Sequence, residues 1–288
     1  TIDPTWLSIS LGITICIECS GIHRSMGTQI SKVRSMTLDR LDAETVDLIC
    51  ALGNAKANAI LEAKMPNKIP RPTTTSKRQE RELFVRSKYE DKLFLEGYSG
   101  AQEMKNKELR MSIMQGDLLA AYHLILQGAE VTTVFGNGSG KLPAKLKPKV
   151  PSSTPVKSNT NSLGRSSRLT ILQEAVEARD LNMLELLLQN GADPNQVDVD
   201  GRSALHSAAL LDAIYMAGLL FKRGAKLDLR DKAGLSALDV AVEEQKADSV
   251  TLLRLAALAN EEKLGTSDEQ SFSEALTQFY SSMSKVKR

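Results

Sequence analysis

Apolar side chains recur at helical spacing over residues 42–62, which predicts an amphipathic helix with Asp42 as its cap. Prolines at positions 66, 70 and 72 end this pattern. The threonine and serine run at 73–76 then offers several N-caps, so a second helix is predicted over 77–95. Its predicted packing face consists of Leu83, Phe84, Tyr89, Leu93 and Phe94, and its predicted water-facing side of Lys77, Arg78, Arg81, Arg86, Lys88 and Lys92.

An apolar run over residues 7–17 precedes these helices and is interrupted by Ser8, Ser10, Gly12 and Thr14. A run of this length is too short to cross a bilayer. It also follows Asp3 rather than a basic segment, which is unlike a secretory signal peptide. We therefore expect this run to form part of a core.

The second half of the chain repeats with a period of 33 residues, since Gly191-Ala192 recurs as Gly224-Ala225 and the segment 200–209 recurs at 233–241. The same register reaches back to residues 172–189. This pattern resembles ankyrin repeats, in which a turn, two helices and a closing Gly-Ala form each unit. The resemblance implies an α-helical solenoid over 168–260, where His206 and Asp239 hydrogen-bond the turns and have no catalytic role.

Three further segments flank the repeats. Residues 99–131, which end in Gly128-Ala129, are predicted to form a first ankyrin-like helix pair. Residues 132–167 are rich in Gly, Pro, Lys and Ser, which predicts a flexible linker; contact of its lysines with anionic lipid is the less favoured alternative. Residues 261–288 place Phe272, Leu276, Phe279 and Tyr280 at helical spacing, which predicts a C-terminal helix that docks as a cap or frays, followed by a basic tail.

Length and charge narrow the class of protein. The 288 residues are enough for two domains, each with a core. The formal net charge of +2 gives no general attraction for nucleic acid, so we expect no nucleic-acid partner. Three cysteines, two of them at metal-binding spacing, are typical of a reducing compartment rather than of a disulfide scaffold. We therefore expect a cytoplasmic protein.

Cys16 and Cys19 are the candidate metal ligands, because a two-residue gap lets both thiolates reach one zinc ion. Arg24 follows five residues after the pair, between Gly21 and Gly27. Zinc normally takes four ligands, and the remaining cysteine, Cys50, lies alone on an apolar helical stripe. The spacing by itself favours a structural knuckle with a solvated arginine.

The neighbouring motifs favour a more specific interpretation. Asp-Pro-Thr-Trp at 3–6, Cys-Ser-Gly-Ile-His-Arg at 19–24, Val-Arg-Ser at 33–35, Thr-Leu-Asp at 37–39 and Leu-Gly-Asn at 52–54 occur in an order that resembles an Arf GTPase-activating domain over about 1–98. The resemblance implies a four-cysteine zinc finger that positions Arg24 as a catalytic finger. It implies that Cys16 and Cys19 bind Zn²⁺, that Trp6 and Ile22 pack under the finger, and that Asp39 and Asn54 order or contact the GTPase surface.

The predicted fold class is therefore mainly α, with a small α/β zinc-finger domain, N-terminally truncated, followed by an ankyrin solenoid. The first CxxC of the family is expected upstream of Thr1, and Leu41 stands where the family usually has tryptophan. The combination resembles the centaurin-beta-like subgroup, which has coiled-coil, PH, ArfGAP and ankyrin domains. That resemblance implies an Arf-family GTPase partner, an unknown protein ligand of the repeats, and membrane contact through other domains at endosomal or plasma membranes.

Two other expectations concern activity. No phosphate-binding loop of the form GxxxxGK[ST] occurs, so the chain is expected to act in trans on a GTPase and to have no nucleotide site of its own. The alternative function is a non-catalytic ankyrin scaffold with a structural or vestigial zinc finger. The bases over 77–92 could contact an acidic membrane or a GTPase, although a solvated helix face is the simpler interpretation.

Overall fold

The computed structural model describes residues 4–132, 169–262 and 275–280. The chain divides into two compact units, one of Thr1–Val131 with Asp180–Ala192 and the other of Thr132–Arg179 with Asp193–Arg288. Almost all of the predicted linker at 132–167 lies outside the described residues, as do the predicted basic tail and the start of the C-terminal helix. The fold is mostly helical with one small sheet, which confirms the predicted fold class.

The described residues form three short strands and eleven helices, with a further helical segment at 275–280. The strands are β1 (Trp6–Ser8), β2 (Ile13–Ile15) and β3 (Val33–Ser35). The helices of the first half are α1 (Ile17–Ser25), α2 (Ala43–Leu61), α3 (Arg78–Tyr89), α4 (Gln102–Gln115) and α5 (Leu118–Leu126). Those of the second half are α6 (Ile171–Glu177), α7 (Leu181–Gln189), α8 (Ala204–Leu210), α9 (Ile214–Lys222), α10 (Ala237–Glu243) and α11 (Ala247–Glu262).

The sheet of the first unit has the antiparallel order β2-β1-β3. The apolar residues at alternate positions from Leu7 to Ile15 are all buried, and so are Ser8 and Ser10 between them, so the run expected to form core does so as a hairpin. Gly12 lies in the turn with a φ of +63°, and a side chain there would overlap Leu52 of α2. The turn therefore needs glycine both for its backbone angle and for the close approach of α2.

Helix α3 differs in two respects from the helix predicted over 77–95. It ends at Tyr89 rather than near 95, because the chain turns back at Lys92, whose φ is +54°. Leu83 and Leu93 are exposed, whereas Arg81 and Lys88, which were expected to face water, are buried. Both buried bases meet carboxylates within the first unit, and those partners cannot be recognised from helical periodicity.

The second unit repeats its own hydrogen bonds with the period seen in the sequence. Asp198 Oδ1 accepts from the backbone N–H groups of Asp200 and Arg202, and Asp231 Oδ1 accepts in the same way from Ala233 and Leu235. Isolated β-bridges follow the same period, Val197 to Ser203 and Arg230 to Ser236. Each turn is thus closed by one aspartate before the first helix of the next pair begins.

His206 and Asp239 occupy equivalent positions in this unit, at the third residue of α8 and of α10. His206 Nδ1 accepts from the backbone N–H of Ser203, and Asp239 Oδ2 accepts from that of Ser236. Each side chain therefore forms half of a capping box at the start of its helix.

Among the described residues, no helix combines the length and apolar character needed to cross a membrane.

Candidate functional site

Cys16 and Cys19 lie at the start of α1, where Cys16 is the N-cap residue. Both side chains are partly buried. Burial, and then the hydrogen bond and negative charge of Cys16, raise the pKa of the Cys19 thiol to about 12. The two side chains are therefore close enough that the negative charge of one thiolate disfavours ionisation of the other. A divalent cation bound by both sulfur atoms would remove that repulsion.

The two cysteines fit zinc as one half of a ligand set. Within residues 4–132, 169–262 and 275–280, no cluster of three or more His, Cys, Asp and Glu side chains could complete the set. Both cysteines line a cavity of about 570 Å³, which leaves space on their open side for further ligand groups. Cys50 is exposed on α2 and not on a buried apolar stripe, which corrects that part of the sequence interpretation.

Arg24 lies in the last turn of α1 and is exposed. Its guanidinium carbon is 4.5 Å from the centroid of the Trp6 ring, so the cation rests on the indole face of β1. None of the carboxylates in the described part of the chain forms an ion pair with it. An exposed guanidinium that an indole supports and no acid neutralises remains available to an anion of another molecule.

Three buried contacts fix the helix that carries Arg24. Ile22 is 3% exposed and packs into the core of the first unit. His23 Nδ1 lies 2.9 Å from Ser31 Oγ, and the Ser31 hydroxyl donates to Ser8 Oγ at 2.8 Å. Because that hydroxyl hydrogen is used toward Ser8, His23 Nδ1 must be the donor in its own bond. Helix α1 is thereby held to β1 through the residues that immediately precede Arg24.

The buried position of His23 predicts a loss of stability on mild acidification. Burial, and then the charge of Lys88, lower the pKa of His23 to about 4 from an ordinary value near 6.5. The unfolded chain therefore binds a proton between these two values while the folded chain does not, so the free energy of unfolding falls as pH falls. Urea titrations from pH 7 to pH 5 should show a loss of about 2 kcal/mol from this residue. His23→Gln should flatten the slope in this window, and an unchanged slope would contradict the prediction.

Asn54 holds the strand that leads into the cysteine pair. Its Oδ1 accepts from Thr14 N at 2.8 Å, and its Nδ2 donates to Thr14 O at 2.9 Å. Gly53 makes this possible, because its φ of +71° and ψ of 164° interrupt α2 and redirect the chain just before Asn54. Asn54 thus makes its described contacts within the first unit, and it positions β2 and Cys16.

Replacing Asn54 by alanine should lower the free energy of unfolding by about 2 kcal/mol, because both polar backbone groups of Thr14 lose their partner. Chemical denaturation followed by circular dichroism measures this change. Asn67→Ala is the matched control, since Asn67 is exposed, and it should stay within about 0.5 kcal/mol of the wild type. Equal losses in the two variants would show that the pairing to Thr14 contributes little.

Asp39 caps an exposed turn after β3. Its Oδ2 accepts from Ser35 N at 2.6 Å. The turn also presents two apolar side chains to solvent, Met36 at 46% and Leu38 at 82% exposure. Ser35 pairs with Trp6 across the sheet, so these apolar side chains follow the strand beside the one that supports Arg24. Leu38 belongs to the Thr-Leu-Asp motif at 37–39, but nothing in that motif indicates that the leucine lies at the surface.

A buried ionic network on α2 and α3 was also missed from the sequence. Lys88 Nζ lies 2.6 Å from Glu62 Oε1 and 2.5 Å from Asn58 Oδ1. Glu62 Oε2 also accepts from Arg71 at 2.6 Å. Burial alone would raise the pKa of Glu62, but the hydrogen bonds and charges of Lys88 and Arg71 outweigh it and lower the pKa. The carboxylate therefore stays ionised and holds the two helices together.

These features can be compared with known protein families. The ArfGap family, described as a GTPase activating protein for Arf, matches residues 1–97. Ankyrin repeats match residues 156–231 and 172–262. Residues 1–97 therefore match the ArfGap family and residues 156–262 match ankyrin repeats, which is the combination that the sequence motifs predicted.

Individual relatives support the same class. The chain is 35% identical over 321 residues to "Arf-GAP with coiled-coil, ANK repeat and PH domain-containing protein 2" of Gallus gallus, with 90% of this chain and 40% of the relative covered. It is 51% identical over 94 residues to "Arf-GAP with coiled-coil, ANK repeat and PH domain-containing protein 3" of Homo sapiens, with 32% of this chain and 11% of the relative covered. It is 28% identical over 271 residues to "ADP-ribosylation factor GTPase-activating protein AGD2" of Arabidopsis thaliana, with 84% and 35% covered. The chain thus spans about 40% of the length of the first of these relatives.

Proposed function

We propose that this protein stimulates GTP hydrolysis by an Arf-family small GTPase and that Arg24 is the catalytic arginine. The observation that carries the proposal is the exposed Arg24 guanidinium, which lies on Trp6 at 4.5 Å and forms no ion pair among the described residues. The ArfGap family match over 1–97 and the names of the relatives support the GTPase class. They do not favour a purely structural scaffold.

The chemistry follows from the charge that develops on the transferred phosphoryl group. A GTPase holds GTP and magnesium itself, and a guanidinium inserted from a second protein stabilises the charge on the phosphoryl oxygens. Arginine suits this role because its planar, permanently charged fork can donate two hydrogen bonds to phosphate. The role of Arg24 is then to complete a neighbouring active site by electrostatic stabilisation, with no covalent step on this chain.

Zinc would have a structural role in this proposal. Cys16 and Cys19 would supply two of its ligands, and the bound ion would stiffen the start of α1. His23 and Ile22 anchor the other end of the same helix, so Arg24 would project from an element fixed at both ends. Such fixation reduces the entropy that Arg24 loses when it meets the phosphate.

The surface around Arg24 would contact the GTPase. Trp6 is partly exposed beneath the guanidinium, Leu38 is largely exposed, and Asp39 shapes the turn that presents Leu38. Apolar side chains around a single cation form a suitable docking surface, because their burial excludes water from the inserted arginine. We propose that the second unit, called the ankyrin unit below because it contains most of the ankyrin-repeat match, binds a separate protein ligand. We also propose that the protein is cytoplasmic and peripheral to endosomal or plasma membranes.

Single-turnover hydrolysis of GTP on a panel of purified Arf proteins tests the proposal. The purified protein should accelerate hydrolysis on at least one Arf and should leave GTP hydrolysis unaffected when Arf is omitted. Parallel reactions with and without anionic vesicles separate an effect of membrane recruitment from an effect on chemistry. A protein that binds Arf·GTP but leaves its hydrolysis rate unchanged on every Arf and with both vesicle conditions would be a scaffold.

A further inference from the structure

Gly218 is an unusual residue for the middle of α9. Glycine inside a helix is less favourable than alanine by about 1 kcal/mol, because it loses more backbone freedom on folding. The surrounding positions of α9 are occupied by larger apolar residues, and Gly218 itself is buried. A β-carbon at Gly218 would overlap the Tyr280 hydroxyl and would lie 3.7 Å from Leu276 Cδ1. The segment 275–280 thus fills the space that a side chain at Gly218 would occupy.

Leu276 and Tyr280 of this segment both contact α9. Leu276 is 1% exposed. The Tyr280 hydroxyl donates to the carbonyl of Ile214 at 3.3 Å, and the Tyr280 ring lies 4.5 Å from the Tyr215 ring at an angle of 37°. Residues four apart on a helix project from one face, so a single helix face makes both contacts. The α9 surface therefore provides a slot at Gly218, a ring at Tyr215 and a carbonyl acceptor at Ile214.

We propose that the face of α9 formed by Ile214, Tyr215 and Gly218 is a recognition site for an amphipathic helix with leucine and tyrosine four residues apart. Residues 275–280 occupy this site as an intramolecular ligand. A partner protein that presents the same Leu-x-x-x-Tyr pattern on a helix competes with the segment for the site. Displacement of the segment is therefore the step that opens this surface of the ankyrin unit.

The size and chemistry of the contact fit an exchangeable ligand. A pair of anchors on one helical turn gives a weak bimolecular affinity, but a ligand in the same chain binds at a high effective concentration and can still fill the site. Tyr215 stays 51% exposed with the segment in place, so part of the aromatic surface remains for a longer helix to cover. Helices that bind grooves commonly use such anchors at i and i+4 together with further contacts along the same face.

Peptide binding to the full chain tests the proposal. The probe is a fluorescein-labelled peptide with the sequence of residues 268–288, and the readout is fluorescence anisotropy. The double variant Leu276→Ser/Tyr280→Ser keeps the chain intact and vacates the site, so it should bind the probe saturably. The wild-type chain should bind the probe at least about tenfold more weakly than the double variant, because its own segment competes for the site. The exposed-position variant Gln278→Ser should behave as the wild type.

A third substitution identifies the site. Adding Gly218→Ala to the double variant should weaken probe binding by about tenfold, because the methyl group overlaps the tyrosine hydroxyl. The same change favours the helix, so circular dichroism and thermal melting should show α9 intact. Two results would overturn the proposal: no saturable binding to the vacated chain, or binding that Gly218→Ala leaves unchanged. In either case residues 275–280 are only a structural cap of the ankyrin unit.

Discussion

Replacing Arg24 with lysine is expected to reduce stimulated GTP hydrolysis by about a thousandfold or more, which is the range that arginine fingers contribute. Lysine keeps the positive charge but loses the planar fork, so it cannot donate two parallel hydrogen bonds to the phosphoryl oxygens. Because Arg24 is exposed and makes no ion pair among the described residues, the substitution removes no buried interaction. Single-turnover hydrolysis with the protein in excess over Arf·GTP measures the chemical step directly.

The controls separate chemistry from folding. Zinc content and the free energy of unfolding should be the same in the Arg24→Lys variant and in the wild type. Arg78→Lys is the matched arginine control, because Arg78 is also exposed on a helix of the first unit, and it should retain full stimulation. If Arg24→Lys kept the wild-type rate, Arg24 would have no catalytic role and the positive charge would have to come from another residue.

Much of the fold follows from local patterns in the sequence. The 33-residue period predicted the helix pairs of the second unit, because each repeat carries its own turn, caps and Gly-Ala end. The helix predicted over 42–62 is present as α2, since its apolar spacing extends over many turns. These features depend on residues close together in the chain, and single-sequence reasoning detects such residues well.

The features that were missed depend on residues far apart in the chain. Helical periodicity placed Lys88 on the water-facing side of α3, but Glu62 and Asn58 lie 26 and 30 residues away in sequence and bury it. The use of Gly218 is invisible for the same reason, since only the packing of Tyr280 explains a glycine inside α9. A buried charge whose partner is on another element cannot be recognised from the spacing of its own helix.

The candidate site shows both cases within a few residues. The motif around Cys16 and Arg24 identified the residues that the proposed chemistry requires. What the motif could not give is the set of hydrogen bonds by which His23 and Asn54 hold the elements around Arg24. Those contacts join α1 to β1, and α2 to β2, so the finger depends on the whole small domain rather than on the cysteine knuckle alone.

The second large effect is expected at the buried ionic network. Glu62→Gln should lower the free energy of unfolding by about 3 kcal/mol, because Lys88, whose side chain is 4% exposed, then keeps a buried charge without its carboxylate. Chemical denaturation near neutral pH measures the loss. Since the pKa of Glu62 is lowered in the folded chain, the stabilisation is present above the ordinary carboxyl pKa and is lost as the pH falls through the folded value.

An exposed pair in the same unit provides the control for this prediction. Lys64 and Glu96 lie 3.4 Å apart with side chains 58% and 57% exposed, so Glu96→Gln should cost less than about 1 kcal/mol. The double variant Glu62→Gln/Lys88→Met should recover much of the loss, because it removes both buried charges and leaves an apolar side chain in their place. The single variants Glu62→Gln and Lys88→Met provide the reference for this comparison. If the double variant lost as much free energy of unfolding as the two single variants together, the loss would come from packing. The pairing of Lys88 with Glu62 would then not be what stabilises α2 against α3.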